Sequence, residues 1–272
     1  MKDILIHLSK IRWLIFVFFF ASCGSASHHF YAGDEGNLLA VKEKGDLKAS
    51  AGITPHLNSL PGNNVNVQLG YSPFKHFALH TNFFRIRNSF EGLEEEEKNV
   101  YQYNFSGAIG TYLFKSSKIE VNEEKNSEVN RGLLFDFYVG YGQGEVDNFF
   151  FGKTGKIELD FQKYFAQGGV HIFLDRVEAS FALRYAQVRY LNGSAFGKLT
   201  TSELAKKDVI QDNNPFNFLE SALKVSYGKT TSPLRAFMTI TGVYDFGDVF
   251  LEIQPSTLQL GVTADIDHYF RK

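Results

Sequence analysis

The sequence predicts an all-β fold, an antiparallel up-and-down transmembrane β-barrel of about ten strands behind an N-terminal secretory signal. Three observations lead there. Beyond Cys23 the chain shows repeated period-2 alternation of apolar and polar residues and almost no helical periodicity. The alternating stretches run to about ten residues, the length with which a tilted strand crosses a bilayer. The links between them are alternately short and long, and Tyr or Phe stands near the ends of the apolar side.

Composition narrows the alternatives. The 272 residues include 28 Phe and 13 Tyr against one Trp, with a net charge of −2. That balance does not suit a nucleic-acid binder. An apolar content of 44% is too high for a disordered chain, and a single Cys excludes an internal disulfide framework. Mean hydropathy is −0.18, which argues against a bundle of membrane helices.

Residues 1–22 read as a signal peptide. Lys2, Lys10 and Arg12 precede the apolar run Trp13–Ala21, which is well short of the ~20 residues of a membrane-spanning helix. Phe20-Ala21-Ser22-Cys23 resembles the lipobox of bacterial lipoproteins, with Phe20 in place of the usual Leu. That resemblance implies acylation of Cys23, an anchor of ~0.8 kcal/mol per buried CH₂. Ordinary cleavage nearby, with Cys23 lost or free, is the alternative. Residues 23–45 would follow as a periplasmic tether or plug, and 46–272 as the barrel.

Each strand is justified by its own alternation. Leu47, Ala49, Ala51 and Ile53 oppose Lys48, Ser50, Gly52 and Thr54. Val65, Val67, Leu69 and Tyr71 oppose Asn66, Gln68, Gly70 and Ser72. Phe77, Leu79, Thr81 and Phe83 oppose Ala78, His80 and Asn82. Tyr101, Tyr103, Phe105, Ile109 and Leu113 oppose Gln102, Asn104, Ser106, Ala108 and Gly110. Leu133, Phe135, Phe137, Val139 and Tyr141 oppose Asp136, Gly140 and Gly142. Tyr164, Ala166, Val170 and Ile172 oppose Gln167, Gly169 and His171. Val177, Ala179, Phe181, Leu183 and Tyr185 oppose Glu178, Ser180 and Arg184. Leu219, Leu223, Val225 and Tyr227 oppose Glu220, Ala222, Lys224 and Ser226. Leu234, Ala236, Met238 and Ile240 oppose Arg235, Thr239 and Thr241. Leu258, Leu260, Val262, Ala264 and Ile266 oppose Gln259, Thr263, Asp265 and Asp267.

A soluble sandwich or a periplasmic barrel would alternate in the same way. Aromatic residues at strand ends (Tyr71, Tyr103, Tyr141, Tyr164, Tyr227) and the secretory signal favour the outer membrane. The short links are 72–76, 174–175 and 228–232; the long ones are 56–64, 87–99, 144–161, 191–216 and 244–257. Short periplasmic turns with long outer loops are expected of such barrels. The link 115–131 breaks the rule and is expected to be an exposed periplasmic excursion. Residues Ser202–Lys207 within the 191–216 loop are expected to form a short helix.

The run Leu38–Asp46 leading into LKASAGI, together with Asp160–Gln167 and Phe218–Ala222, resembles a family of small outer-membrane barrels common in Bacteroidota. The resemblance is one of pattern over most of the mature chain. It implies a fold and a location, and it carries over no catalytic residue.

The polar face carries Lys48, His80, Asp136, Glu178, Arg184, Glu220, Lys224, Arg235, Asp265 and Asp267, close to balanced in sign. In a narrow barrel such residues form a salt-bridge network that fills the interior; a polar channel is the other reading. Glu94–Glu97 is expected to be a solvated acidic tip, lacking the spaced ligands of a calcium loop. His28-His29 is read as part of a tether. Asp267-His268 lies at the periplasmic end, the wrong side for an omptin-type protease, and Ser and His stand at no diagnostic spacing for a triad. No phosphate loop, zinc pattern or nucleotide fingerprint occurs, so neither metal nor cofactor is expected.

The expectation is therefore a non-enzymatic outer-membrane protein, an accessory subunit or binding surface. Its partners would be outer-membrane lipid and other envelope proteins met through the outer loops, above all 191–216. A small channel for ions or solutes, and less so a barrel hydrolase, are the alternatives.

Overall fold

The computed structural model describes residues 30–34, 36–54, 64–91, 97–120, 128–150, 154–228, 232–246, 253–254 and 256–269. Residues 1–22, read above as a signal peptide, and Cys23, His28-His29 and Glu94–Glu96 lie outside them. The chain opens with a two-residue strand β1 (Tyr31–Ala32). Then come β2 (Leu47–Ile53), β3 (Val65–Phe74), β4 (Phe77–Glu91), β5 (Glu97–Glu120), β6 (Glu128–Phe150), β7 (Gly155–Leu174) and β8 (Val177–Gly197). Helix α1 (Thr201–Asp212) leads into β9 (Phe216–Tyr227), β10 (Leu234–Asp245), β11 (Ile253–Gln254) and β12 (Ser256–Asp265). A 3-10 turn, Ile266–Tyr269, follows.

Ten of these strands, β2–β10 and β12, close into one barrel by antiparallel pairing of neighbours. The seam is β12 against β2, from Asp265 opposite Lys48 to Leu260 opposite Ile53. The two short strands β1 and β11 pair in parallel, Tyr31 with Ile253 and Ala32 with Gln254.

Alternation sorts the side chains as the sequence predicts. On β6, Leu133, Phe135, Phe137, Val139 and Tyr141 are exposed on the outside, while Leu134, Asp136 and Tyr138 are buried within. The same outward apolar band appears on other strands of the barrel, as with Phe181, Leu183 and Tyr185 of β8 and Leu260 and Val262 of β12. About ten residues of tilted strand give it a height of ~25 Å. Its edge toward the long links carries Tyr103, Tyr141, Tyr164 and Tyr185, with Tyr141 opposite Tyr164 and their ring centroids 5.2 Å apart.

Beyond that edge the polarity of the wall inverts. On β7 the residues facing outward change from Tyr164, Ala166, Val170 and Ile172 to Lys156, Glu158, Asp160 and Gln162, while Ile157, Leu159 and Phe161 are buried inside. On β6, Glu145 and Asp147 face out and Val146 and Phe150 face in. A strand wall that leaves an apolar surround must turn its charges outward to water and can then pack an ordinary apolar core within.

This inversion corrects the expected strand lengths. The links expected at 87–99 and 144–161 are largely strand, because β4 runs to Glu91, β5 starts at Glu97, β6 reaches Phe150 and β7 starts at Gly155. The apolar outward face that marks these strands in the sequence ends at that edge, although the strands continue. At the opposite end, β5 and β6 stay paired to Glu120 and Glu128, so the expected excursion over 115–131 is mostly a prolonged hairpin. The helix expected over Ser202–Lys207 spans Thr201–Asp212. Its start is set by a capping box, in which Thr200 and Glu203 satisfy each other's backbone N–H groups.

Candidate functional site

The lumen holds the chain's own N-terminal segment. Phe30, at the end with the long links, accepts a hydrogen bond on its carbonyl from Tyr190 Oη at 2.8 Å. Tyr31 stacks on Phe218 with centroids 4.5 Å apart and meets Phe161 edge-on. The segment then descends the barrel. Near the short-turn end the Lys48 ammonium donates to the Ala40 carbonyl at 2.6 Å, and the Gly45 N–H donates to the Ser72 carbonyl at 2.7 Å. An exposed turn, Glu43-Lys44-Gly45, with Gly45 at φ +88°, sends the chain into β2. The residues described from Phe30 to Val41 are all buried.

Apart from the two-residue pairing of β1 with β11, the segment has no sheet partner among the described residues, so side chains of the wall must satisfy its backbone. Gln102 of β5 accepts from the Ala32 N–H at 2.9 Å and donates to the Ala32 carbonyl at 2.8 Å. Gln167 of β7 makes the same pair with Asn37, both bonds at 2.9 Å. Gln68 of β3 accepts from Leu38 N–H and donates to the Gly36 carbonyl. Gly36, at φ +70°, allows the approach, since a Cβ there would stand 3.0 Å from Gln167 Oε1.

Between these glutamines sits a charge lock. Asp34 accepts from Lys163 Nζ at 2.8 Å, from Asn104 Nδ2 at 3.0 Å, from its neighbour Gly36 N–H at 2.9 Å, and from Arg184. Arg184 also donates to Glu220 at 3.1 Å, and Tyr31 Oη donates to the same carboxylate. Two acids face two bases with almost no solvent contact, a neutral set. Buried charges persist only when paired and hydrogen-bonded in this way.

The residues expected from sequence to line the lumen fall into distinct places. Arg184 and Glu220 belong to the lock around Asp34. Glu178, Arg235, Asp265 and Lys48 form a second ion-pair group near the short turns: Arg235 bridges Glu178 and Asp265, and Lys48 lies 3.7 Å from Asp265. Lys224 stands 3.9 Å over the Phe237 ring. His80 meets Tyr138 edge-on with centroids 4.5 Å apart. Asp136 is hydrogen-bonded to His171. Asp267 lies in the 3-10 turn after β12, off the barrel ladder, because β12 ends at Asp265 and the alternation read through Ile266 does not continue.

Asp136, His171 and Ser180 come together in a way their spacing does not reveal. His171 Nε2 is 2.8 Å from Asp136 Oδ2, and its Nδ1 is 2.7 Å from Ser180 Oγ. An acid–imidazole–hydroxyl chain is the arrangement of nucleophilic hydrolases. Here all three are buried in the lumen, and Ser180, near the start of β8, stands where the strand is paired with β7 on one side and β9 on the other.

Outside, above the tyrosine edge, Glu145, Asp147 and Glu158 approach one another. Lys156 stands among them, 3.0 Å from Asp147 and 2.8 Å from Glu158. Partial burial pushes the Asp147 carboxyl up to about 6, against the pull of Lys156 and with Glu145 and Glu158 adding to the rise.

Sequence reasoning missed Tyr31, Asp34, Lys163 and the three glutamines as members of one site. The glutamines were visible as polar residues on inward positions, but Asp34 sits in a stretch without periodicity and carries no local signal.

No protein-family model matches this chain, and no curated protein does. Solved structures match over most of its length. They include the translocator domain of the autotransporter NalP from Neisseria meningitidis, with a TM-score of 0.31 and 9% identity over 81% of this chain and 86% of that one. The monoaromatic hydrocarbon channel TodX, as its deltaS2 mutant, gives 0.22 and 8% over 82% and 90%. The monoaromatic hydrocarbon channel CymD gives 0.23 and 10% over 83% and 89%. Identities and scores this low leave the fold to rest on the chain's own topology, a closed ten-stranded antiparallel barrel.

Proposed function

We propose that this chain is a non-enzymatic outer-membrane β-barrel whose lumen is closed by its own N-terminal segment and whose long-link end is a binding surface. One observation carries the reading: the described residues of Phe30–Val41 fill the lumen and are bonded to opposite walls. Conduction needs a continuous water path, and this segment stands across it. The outward apolar band supports the membrane placement, with lipid as the first partner. Acylation at Cys23 supplies a second anchor, and a Cys23→Ala change abolishes acyl labelling.

The test is direct. Purified protein in planar bilayers stays electrically silent while showing heat-modifiable migration in detergent. Open-channel current from the intact chain would overturn the closed-barrel reading, and release into the soluble periplasm would overturn the membrane placement. A second reading, a transport channel opened by withdrawal of the segment, draws support from the polar lumen wall. Asn66, His80, Asn82 and Gln259 are buried there with side-chain polar atoms unbonded among the described residues.

A further inference from the structure

We propose that the lumen wall is a binding track for an extended peptide with an aromatic residue three positions before an acidic one, and that Phe30–Val41 occupies it in cis. The inference rests on the reading that this segment fills the lumen. It adds that the wall recognises polypeptide as such.

A lumen position that only needs filling is served by any polar side chain. Gln68, Gln102 and Gln167, on three different strands, each turn one donor and one acceptor onto a main chain. That is what a sheet edge offers an added strand, and it is indifferent to the side chains of the guest.

Besides the short β1–β11 pairing, the main-chain bond within the segment among the described residues is Val41 N–H to the Leu39 carbonyl. Its conformation is therefore supplied by the wall. The wall also selects side chains at two points. Tyr31 is stacked on Phe218 and bonded to Glu220, and Asp34 is held by Lys163, Arg184 and Asn104. By contrast the Asn37 side-chain amide nitrogen has no hydrogen-bond partner among the described residues, although the backbone of that residue is clamped. Backbone grip combined with two side-chain checkpoints is the anatomy of a peptide site.

The test keeps the barrel folding with its segment in place. A protease recognition sequence is inserted between Lys44 and Gly45, in the exposed turn, and the folded full chain is cut in detergent. A fluorescent peptide, FYAGDEGNLLAV, is then added, with exchange followed by anisotropy and native mass spectrometry. The labelled peptide replaces the cut segment saturably. The peptide carrying Asp34→Ala binds at least about ten-fold more weakly, the loss expected of a charge-assisted contact. The peptide carrying Asn37→Ala stays within about three-fold, since its backbone contacts survive.

Three results overturn the proposal. One is absence of exchange in a cut barrel that keeps its heat-modifiable migration. Another is collapse of that migration on release, which would make the segment an inseparable part of the core. The third is equal loss from Asn37→Ala and Asp34→Ala, which would mean that shape alone is recognised. Conductance of the uncut protein tests the closed-barrel reading separately, so the two can fail independently.

Discussion

The carboxylate of Asp34 lies 2.8 Å from the ammonium of Lys163, with both side chains fully withdrawn from solvent although 129 residues separate them. Removing the acid leaves Lys163 and Arg184 facing Glu220 alone in a closed lumen. Asp34→Ala should cost about 3–5 kcal/mol, the penalty of stranding a buried charge. Denaturant midpoints of the full chain in detergent measure it. The pair Asp34→Ala with Lys163→Met should recover part of the loss; no recovery would mean that the lock acts through something other than charge balance.

Two adjacent glycines on β7 should respond in opposite ways. A Cβ on Gly169 would lie 2.1 Å from Asp136 Oδ1, whereas one on Gly168 meets nothing within 4 Å. Gly169→Ala therefore drives the carboxylate away from His171 and should destabilise by roughly 1–3 kcal/mol. Gly168→Ala faces the outer surround and should be neutral to within about 0.5 kcal/mol. Thermal midpoints of the two variants decide it, and equal midpoints would contradict the inward orientation of Asp136.

Acid pH should act on the extension above the tyrosine edge through Asp147. Its carboxyl titrates near 6 in the folded protein, above the ~3.9 of an unfolded chain. The folded state thus holds this proton more tightly, so its contribution to stability is greatest below the unfolded value. That contribution falls as pH rises toward 6 and is constant above. Asp147→Asn should flatten this dependence. A carboxyl ¹³C titration with a midpoint near 4 would refute the shift.

The chain reaches Phe30 at the long-link end, since Tyr31 pairs with Ile253 and Phe30 is bonded to Tyr190. An epitope inserted between Ser27 and His28 should be reached by antibody from the same side of the membrane as one inserted in α1. An epitope between Asn122 and Glu123, beyond the β5–β6 hairpin, should be reached from the other side. Accessibility of the first and third tags together would reverse the path assigned to the segment.

The inversion of polarity explains which parts of the barrel could be read in advance. From Leu133 to Tyr141 an apolar face turned outward makes alternation visible, and the face of every residue there follows from parity. From Gln143 to Phe150 the strand continues with the opposite assignment, so the same rule ends the strand early. The helix Thr201–Asp212 was legible only as its stretch Ser202–Lys207, and the structure adds the capping box of Thr200 and Glu203 that sets its start. Arg184, Glu220, Glu178 and Arg235 were legible as inward charges, but their partners were not. Parity states which side of a wall a residue faces and says nothing of how far across the lumen its neighbour lies.

By itself, then, the sequence determined the barrel, its approximate strand number and the inward polar face, because strand geometry repeats every two residues and needs no distant information. Only the tertiary structure decided that the lumen is occupied, that Gln68, Gln102 and Gln167 grip a main chain, and that Asp34 locks Lys163 and Arg184. Those contacts join an aperiodic segment to strands up to 150 residues away. Closing the barrel is what brings them within hydrogen-bond reach, and no local pattern encodes that closure distance.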